Sequence, residues 1–168
     1  MNTPGRTAHL FGVLAVLMVG GIQASAADPV AEVAAIHAVD DAWVKAFNAG
    51  DVDAMVALYD EHAVLLPPGA PAARGQGAIR TFFAKMVAAA AKDGLAFSLD
   101  VKPAGGARGD IGWSSGTYVA KDKTGRVVET GKYLSVSKKK DGKWLYVRDT
   151  WNSDGPATST EPAASPKK

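Results

Sequence analysis

The sequence contains no cysteine. That excludes a disulfide framework, a thiolate nucleophile, and zinc or iron–sulfur centres built on thiolate ligands. Histidine is nearly as scarce, with three residues in 168. An excess of one charge is also missing: 19 Lys and Arg against 17 Asp and Glu leave +2, so there is no electrostatic footprint for nucleic acid. The apolar run Leu10–Ile22 is too short for a membrane span, which takes roughly 20 residues. What remains is ordinary globular composition, 47% hydrophobic and 21% charged, at a length that suits one domain with tails.

The termini read as additions to that domain. Arg6, the run Leu10–Ile22 and the small-x-small site Ala24-Ser25-Ala26 have the layout of a secretory leader over residues 1–26. The expectation is export to the periplasm or beyond, and no membrane attachment after cleavage. Residues 155–168 are rich in Pro, Ser, Thr and Ala without a large apolar side chain, which predicts a disordered tail. The folded domain is therefore expected over residues 28–154.

Within it, hydrophobic periodicity changes once. Asp28 as N-cap, Pro29 at the first helical position and Gly50 at the end predict a long helix, with Val33, Ile36, Val39, Trp43, Val44 and Phe47 on one face. A shorter helix is predicted from Asp51 through Tyr59, then a short strand Ala63–Leu66 ended by Pro67-Pro68-Gly69. A third helix runs from about Gln76 to Lys92, with Gly94 as its stop. From Ala96 the period is two: strands are predicted over Ala96–Lys102, Ile111–Lys121, Arg126–Lys138 and Lys143–Asn152, with Pro103–Gly109 as a glycine-rich loop. Asp141-Gly142 marks a two-residue hairpin. Helices first and a meander after them mean α+β.

An uninterrupted hairpin from Lys140 and Lys143 sets Leu134 opposite Asp149, Val136 opposite Val147 and Lys132 opposite Trp151. Alternation then turns Leu145, Val147, Asp149 and Trp151 toward the helices with Lys132, Leu134 and Val136. Trp144, Tyr146, Arg148, Tyr133, Ser135 and Ser137 fall on the outer face. Asp149 and Lys132 become charged groups on the core side, diagonal to each other, and an unpaired buried carboxylate costs several kcal/mol. A salt bridge or a wet cavity is expected there.

The stretch from Asn48 to Tyr59 (Asn-Ala-Gly-Asp-Val-Asp-Ala-Met-Val-Ala-Leu-Tyr), then Ala63–Pro68 and Arg74-Gly75, resembles the nuclear-transport-factor-2-like, or SnoaL-like, superfamily. So do Asp141-Gly142-Lys143-Trp144 and Arg148-Asp149-Thr150-Trp151-Asn152-Ser153-Asp154, which look like its SgcJ/EcaC-like branch of ketosteroid-isomerase homologues. The resemblance covers Val33 to Asp154 and implies a cystatin-like cone: a curved antiparallel sheet packed on three N-terminal helices. Function varies across that superfold, from isomerases, cyclases and dehydratases to plain binding domains. Isomerase chemistry of the ketosteroid type needs an Asp base and an oxyanion hole of a Tyr and a protonated Asp. In the register of the resemblance those positions fall on Pro67, Trp43 and Leu134, so that reaction is not expected. The same register implies pocket positions at Trp113, Ser115, Thr117, Val119, Asp149 and Trp151, with Trp43 and Tyr59 joining from the helical half.

The expected function is binding of a small, partly apolar molecule, with Asp149 as acceptor or general base, Lys132 tuning it, and Trp43, Tyr59, Trp113, Ser115, Thr117 and Trp151 around the ligand. No cofactor is implied. Two alternatives stand beside it. The tryptophans could be core and Asp149 a structural carboxylate, or the chain could be a ligand carrier or homodimer using Tyr133, Trp144 and Tyr146 on the outer face. Three other motifs carry less. Gly112-Trp113-Ser114-Ser115-Gly116 fits a nucleophile elbow only at a strand-to-helix turn with a histidine downstream, and it is predicted inside a strand with none following. His37, Asp40 and His62 are a weak metal pattern and no metal site is expected. Lys138-Lys139-Lys140 reads as a solvated hairpin tip.

Overall fold

The computed structural model describes residues 28–99 and 103–155; the expected leader and all but the first residue of the expected tail lie outside these. The first helix, α1, is Pro29–Ala49. Asp28 caps it by accepting from the Val30 amide, and Gly50 ends it in the left-handed conformation at φ 72°. The second helix, α2, is only Val52–Val56, capped by Asp51. Tyr59, expected inside that helix, instead opens strand β1, Tyr59–Leu66. After the two-residue strand β2, Ala73–Arg74, helix α3 spans Gly75–Asp93 and stops at Gly94.

The rest is sheet: β3 Ala96–Leu99, β4 Ala104–Arg108, β5 Ile111–Lys121, β6 Val127–Lys140 and β7 Lys143–Ser153. Strand β4 replaces the predicted loop. Its glycines are there for close approach: a side chain at Gly105 would run into His37 of α1, and one at Gly106 into the Trp113 indole. The strand order is β2-β1-β7-β6-β5-β3, with β4 also pairing β5. Pairing is antiparallel except between β1 and β7, which run parallel. The sheet is curved and does not close.

The helices lie on one face of this sheet. Ile36, Val39 and Phe47 of α1, Met55 and Val56 of α2, Ile79 and Phe83 of α3, and Leu65, Trp144 and Tyr146 of the sheet make a continuous core. Asp141 and Gly142 both adopt positive φ, as the tight turn between β6 and β7 requires. The lysine run before that turn is not free in solvent. Lys139 pairs with Glu32 of α1 at 2.6 Å and lies over the Trp144 ring, Lys140 pairs with Glu61 of β1 at 3.1 Å, and Lys138 approaches Asp110 at 3.7 Å. The hairpin tip is thus pinned to three different parts of the fold.

Candidate active site

The hairpin β6–β7 keeps the expected register only near its turn. Lys140 faces Lys143 and Ser137 faces Tyr146, but Val136 faces Arg148, so Val147 is an extra residue on β7. This bulge reverses which side chains point inward on either side of it. Trp144 and Tyr146 before the bulge and Asp149 and Trp151 after it all lie on the helix side. On β6 the inward set is Tyr133, Ser135 and Ser137, the last two 2% and 0% exposed, whereas Leu134 is 47% exposed. The expectation of Leu134 and Val136 inside, with Tyr133, Trp144 and Tyr146 outside, is therefore corrected.

The same parity corrects strand β5. Ser114, Tyr118 and Ala120 are buried, so Trp113, Ser115, Thr117 and Val119 belong to the opposite face, and Trp113 is 42% exposed. These four do not line the cavity. Lys132 is also on the outer face, where it bonds Asp154 at 2.7 Å and not Asp149. Leu134, where the resemblance sets the second aspartate position of the isomerase, faces outward and does not line the cavity.

What the fold does bring together is a cavity of about 60 Å³ between α1, α3 and the sheet, several times the roughly 10–15 Å³ that one water needs. Trp43, Phe97, Tyr118 and Trp151 give it aromatic walls, with Met86 and Leu99 beside them. Two carboxylates face it. Asp149 accepts from the Tyr59 hydroxyl at 2.5 Å on one oxygen and from the Ser135 hydroxyl at 2.9 Å on the other. Asp40, on α1, accepts from Tyr146 at 2.5 Å and Ser114 at 3.0 Å on one oxygen, and more distantly from Tyr133 at 3.4 Å on the other. Ser114, the serine of the elbow-like motif, is thus a buried donor in mid-strand with no nucleophilic geometry.

Burial decides the electrostatics. It raises the Asp149 carboxyl to about 6; the Tyr59 and Ser135 hydrogen bonds hold it down against this, and the Asp40 charge pushes it further up. Burial also raises Asp40, opposed by its hydroxyl donors and by His37 one turn earlier. Tyr59 and Tyr146 are raised well above the ordinary phenol value, mainly by burial and then by the carboxylates, so both stay protonated donors. The arrangement holds a base of near-neutral pKa in apolar surroundings, which is what proton transfer requires. The Trp43 indole N–H is buried and makes no hydrogen bond among the described residues.

Sequence reasoning had Asp149, Tyr59, Trp43 and Trp151 in or beside this site, and missed Asp40, Tyr133, Ser135 and Tyr146. A signal for Asp40 was present: it sits at i+4 from Ile36 and i−3 from Trp43, inside the apolar stripe of α1. His37 and Asp40 do not meet His62, which is exposed on β1; among the described residues no three His, Cys, Asp or Glu come together as metal ligands.

Known structures share this architecture. An NTF2-like protein with a cystatin-like fold from Novosphingobium aromaticivorans matches at 20% identity and TM-score 0.66, over 74% of this chain and 83% of that one. A ketosteroid isomerase-like protein from Erwinia carotovora atroseptica matches at 25% identity and TM-score 0.57, over 74% of this chain and 98% of that one. An NTF2-like protein of unknown function from Pseudomonas putida KT2440 matches at 14% identity and TM-score 0.68, over 77% and 91%. No protein among the curated sequences matches. The family model for the SnoaL-like domain matches residues 41–147, an interval that begins just after Asp40 and ends just before Asp149. With that match covering most of the folded domain, the chain belongs to the SnoaL-like domain family.

Proposed function

We propose that the cavity binds a small, partly apolar molecule and exchanges a proton with it through Asp149. The observation that carries this reading is the pair of buried carboxylates, Asp40 and Asp149, set on one aromatic-walled cavity and each held by tyrosine and serine hydroxyls. Two neighbouring acids of unequal surroundings can divide the work, one taking the proton and the other holding charge. Asp149, ionised at neutral pH and desolvated, is suited to the first role. Its hydroxyl partners fix the orientation of both oxygens. A solved relative at 25% identity is described as ketosteroid isomerase-like, which agrees with proton-transfer chemistry as a class.

The test combines mass spectrometry of small molecules that co-purify with the protein and a thermal-shift screen, since a ligand of the native state alone raises its stability with concentration. A compound that raises the melting temperature and is turned over is the expected result. Asp149→Asn should then abolish turnover. Full turnover by that variant would overturn the base assignment, and binding without turnover in the wild type would make the protein a carrier.

A second reading is favoured by the outer sheet face, which no helix covers and which exposes Leu66, Ile111, Trp113 and Leu134 at 42–47%. Such a face suits a second copy of the chain in a two-fold dimer. Tyr133, Trp144 and Tyr146 are inside and take no part. Leu134→Glu should halve the mass seen by sedimentation, and a wild-type monomer at high concentration would exclude the dimer.

A further inference from the structure

Among the described residues the cavity is lined by two acids and by no lysine, arginine or histidine. Asp40 and Asp149 are 3% and 8% exposed, yet every ion pair among the described residues uses some other carboxylate. Buried charges are ordinarily matched by a counter-charge, because desolvation otherwise costs several kcal/mol per ion. Here the facing groups can be named element by element. Helix α1 brings Asp40, with His37 one turn before it; β1 brings Tyr59, β5 Tyr118, β6 Tyr133 and β7 Tyr146. Of the described residues, α3 and β3 bring Met86, Phe97 and Leu99. His37 does not line the cavity: its Nε2 is buried against Gly105, where a side chain would collide with it. It offsets Asp40 from outside, and no cation among the described residues pairs with Asp149.

The remaining lining is aromatic, and ring faces attract cations as carboxylates do. Trp43, Phe97, Tyr118 and Trp151 surround the two acids. Resting on the reading of this cavity as a ligand site, we infer that its ligand is a small organic ammonium ion of a few carbons, as the volume of about 60 Å³ allows, with the cationic nitrogen at Asp149 and Asp40 and its carbon body against the aromatic walls. The ligand is then the missing counter-ion. Of the two acids, Asp149 takes the larger share of the charge, because Asp40 has three hydroxyl donors and His37 to offset it while Asp149 has two hydroxyl donors and no ion-pair partner among the described residues.

Three small probes that differ mainly in charge test this: propylammonium, 1-propanol and propionate, titrated against the full chain and read by the change in tryptophan fluorescence. Propylammonium should bind at least roughly tenfold more tightly than 1-propanol, with propionate weakest. Its affinity should rise from about pH 5 to about pH 7 as Asp149 loses its proton, while that of 1-propanol stays flat. Asp149→Asn should remove most of this rise, and His37→Gln should leave it in place. 1-Propanol or propionate binding as well as the amine would overturn the cation assignment and leave the ligand site standing. Absence of saturable binding by all three at millimolar concentration would count against both. The wild-type comparison suffices even if Asp149→Asn fails to fold.

Discussion

Raising the pH from about 4 to about 6 should cost the protein roughly 2 kcal/mol of stability, and Asp149→Asn should abolish most of that fall. The folded carboxyl titrates at about 6 against an ordinary value of 3.8. Below both values the proton is bound in the folded and unfolded states alike, and Asp149 costs nothing. Between them the unfolded chain has released its proton while the native protein retains it, so each increment of pH favours unfolding; above about 7 the penalty, roughly 3 kcal/mol in all, is complete and constant. A raised carboxyl therefore destabilises at neutral pH, the opposite of a salt-bridged one. Asp40, also raised by burial, adds in the same direction. Asp122, held at about 2 by Thr124 and Arg126, acts the other way, but its gain is complete by about pH 4.

Urea midpoints measured across this range would show the slope. In Asp149→Asn the side-chain oxygen can still accept from one hydroxyl while the amide donates to the other, since both Tyr59 and Ser135 can rotate their protons. The variant should therefore equal or exceed the wild type at neutral pH. A wild-type midpoint that stays level or rises between pH 4 and pH 6 would mean that Asp149 is solvated in the native protein.

The other large effect lies behind the site. Phe83→Ala should lose about 3–5 kcal/mol, because the ring is fully buried and its removal leaves a void that neighbouring rings cannot all fill. Phe83 contacts Trp43, Tyr59 and Phe82, with centroids 5.9, 5.5 and 5.9 Å away. It thus backs the tyrosine that donates to Asp149 and the tryptophan that walls the cavity. Phe82, one residue earlier and only partly buried, should cost less than half as much when truncated. Denaturant midpoints with unchanged slopes would measure both. A loss below about 1 kcal/mol for Phe83→Ala would indicate that α3 collapses onto the sheet and refills the space.

Local chemistry made much of this fold readable. Asp28, Pro29 and Gly50 bound α1 because capping is a short-range matter of backbone groups, and Asp141-Gly142 fixes its turn because few residues accept positive φ. The cavity-facing side of the sheet was harder. On β6 the alternation of Leu134 and Val136 with Ser135 and Ser137 suggests that the aliphatic pair is buried, and the reverse holds. Small residues point inward because large neighbours cross over them: a side chain at Gly112 would strike Ile36, one at Gly116 would meet the Tyr133 ring, and one at Gly131 the Tyr118 ring. The serines between them supply hydroxyls to Asp40 and Asp149. On β7 the run Trp144-Leu145-Tyr146-Val147 is apolar throughout, so periodicity leaves its facing open.

By itself the sequence determined the caps of α1, the Asp141-Gly142 turn, the α+β class and the presence of Asp149, Trp43, Tyr59 and Trp151 as residues able to build a site. Only the tertiary structure decided that Val147 is an extra residue in its strand, and from that single bulge follow Tyr146 and Asp149 on the same face and Lys132 on the other; it also set Asp40 of α1 across the cavity as the second acid. The physical reason is that side chains alternate along a strand, so a slip of one residue moves them all to the opposite face. The contacts on the helix side lie far apart in the chain: Tyr146 donates to Asp40 across 106 residues, which no local pattern contains.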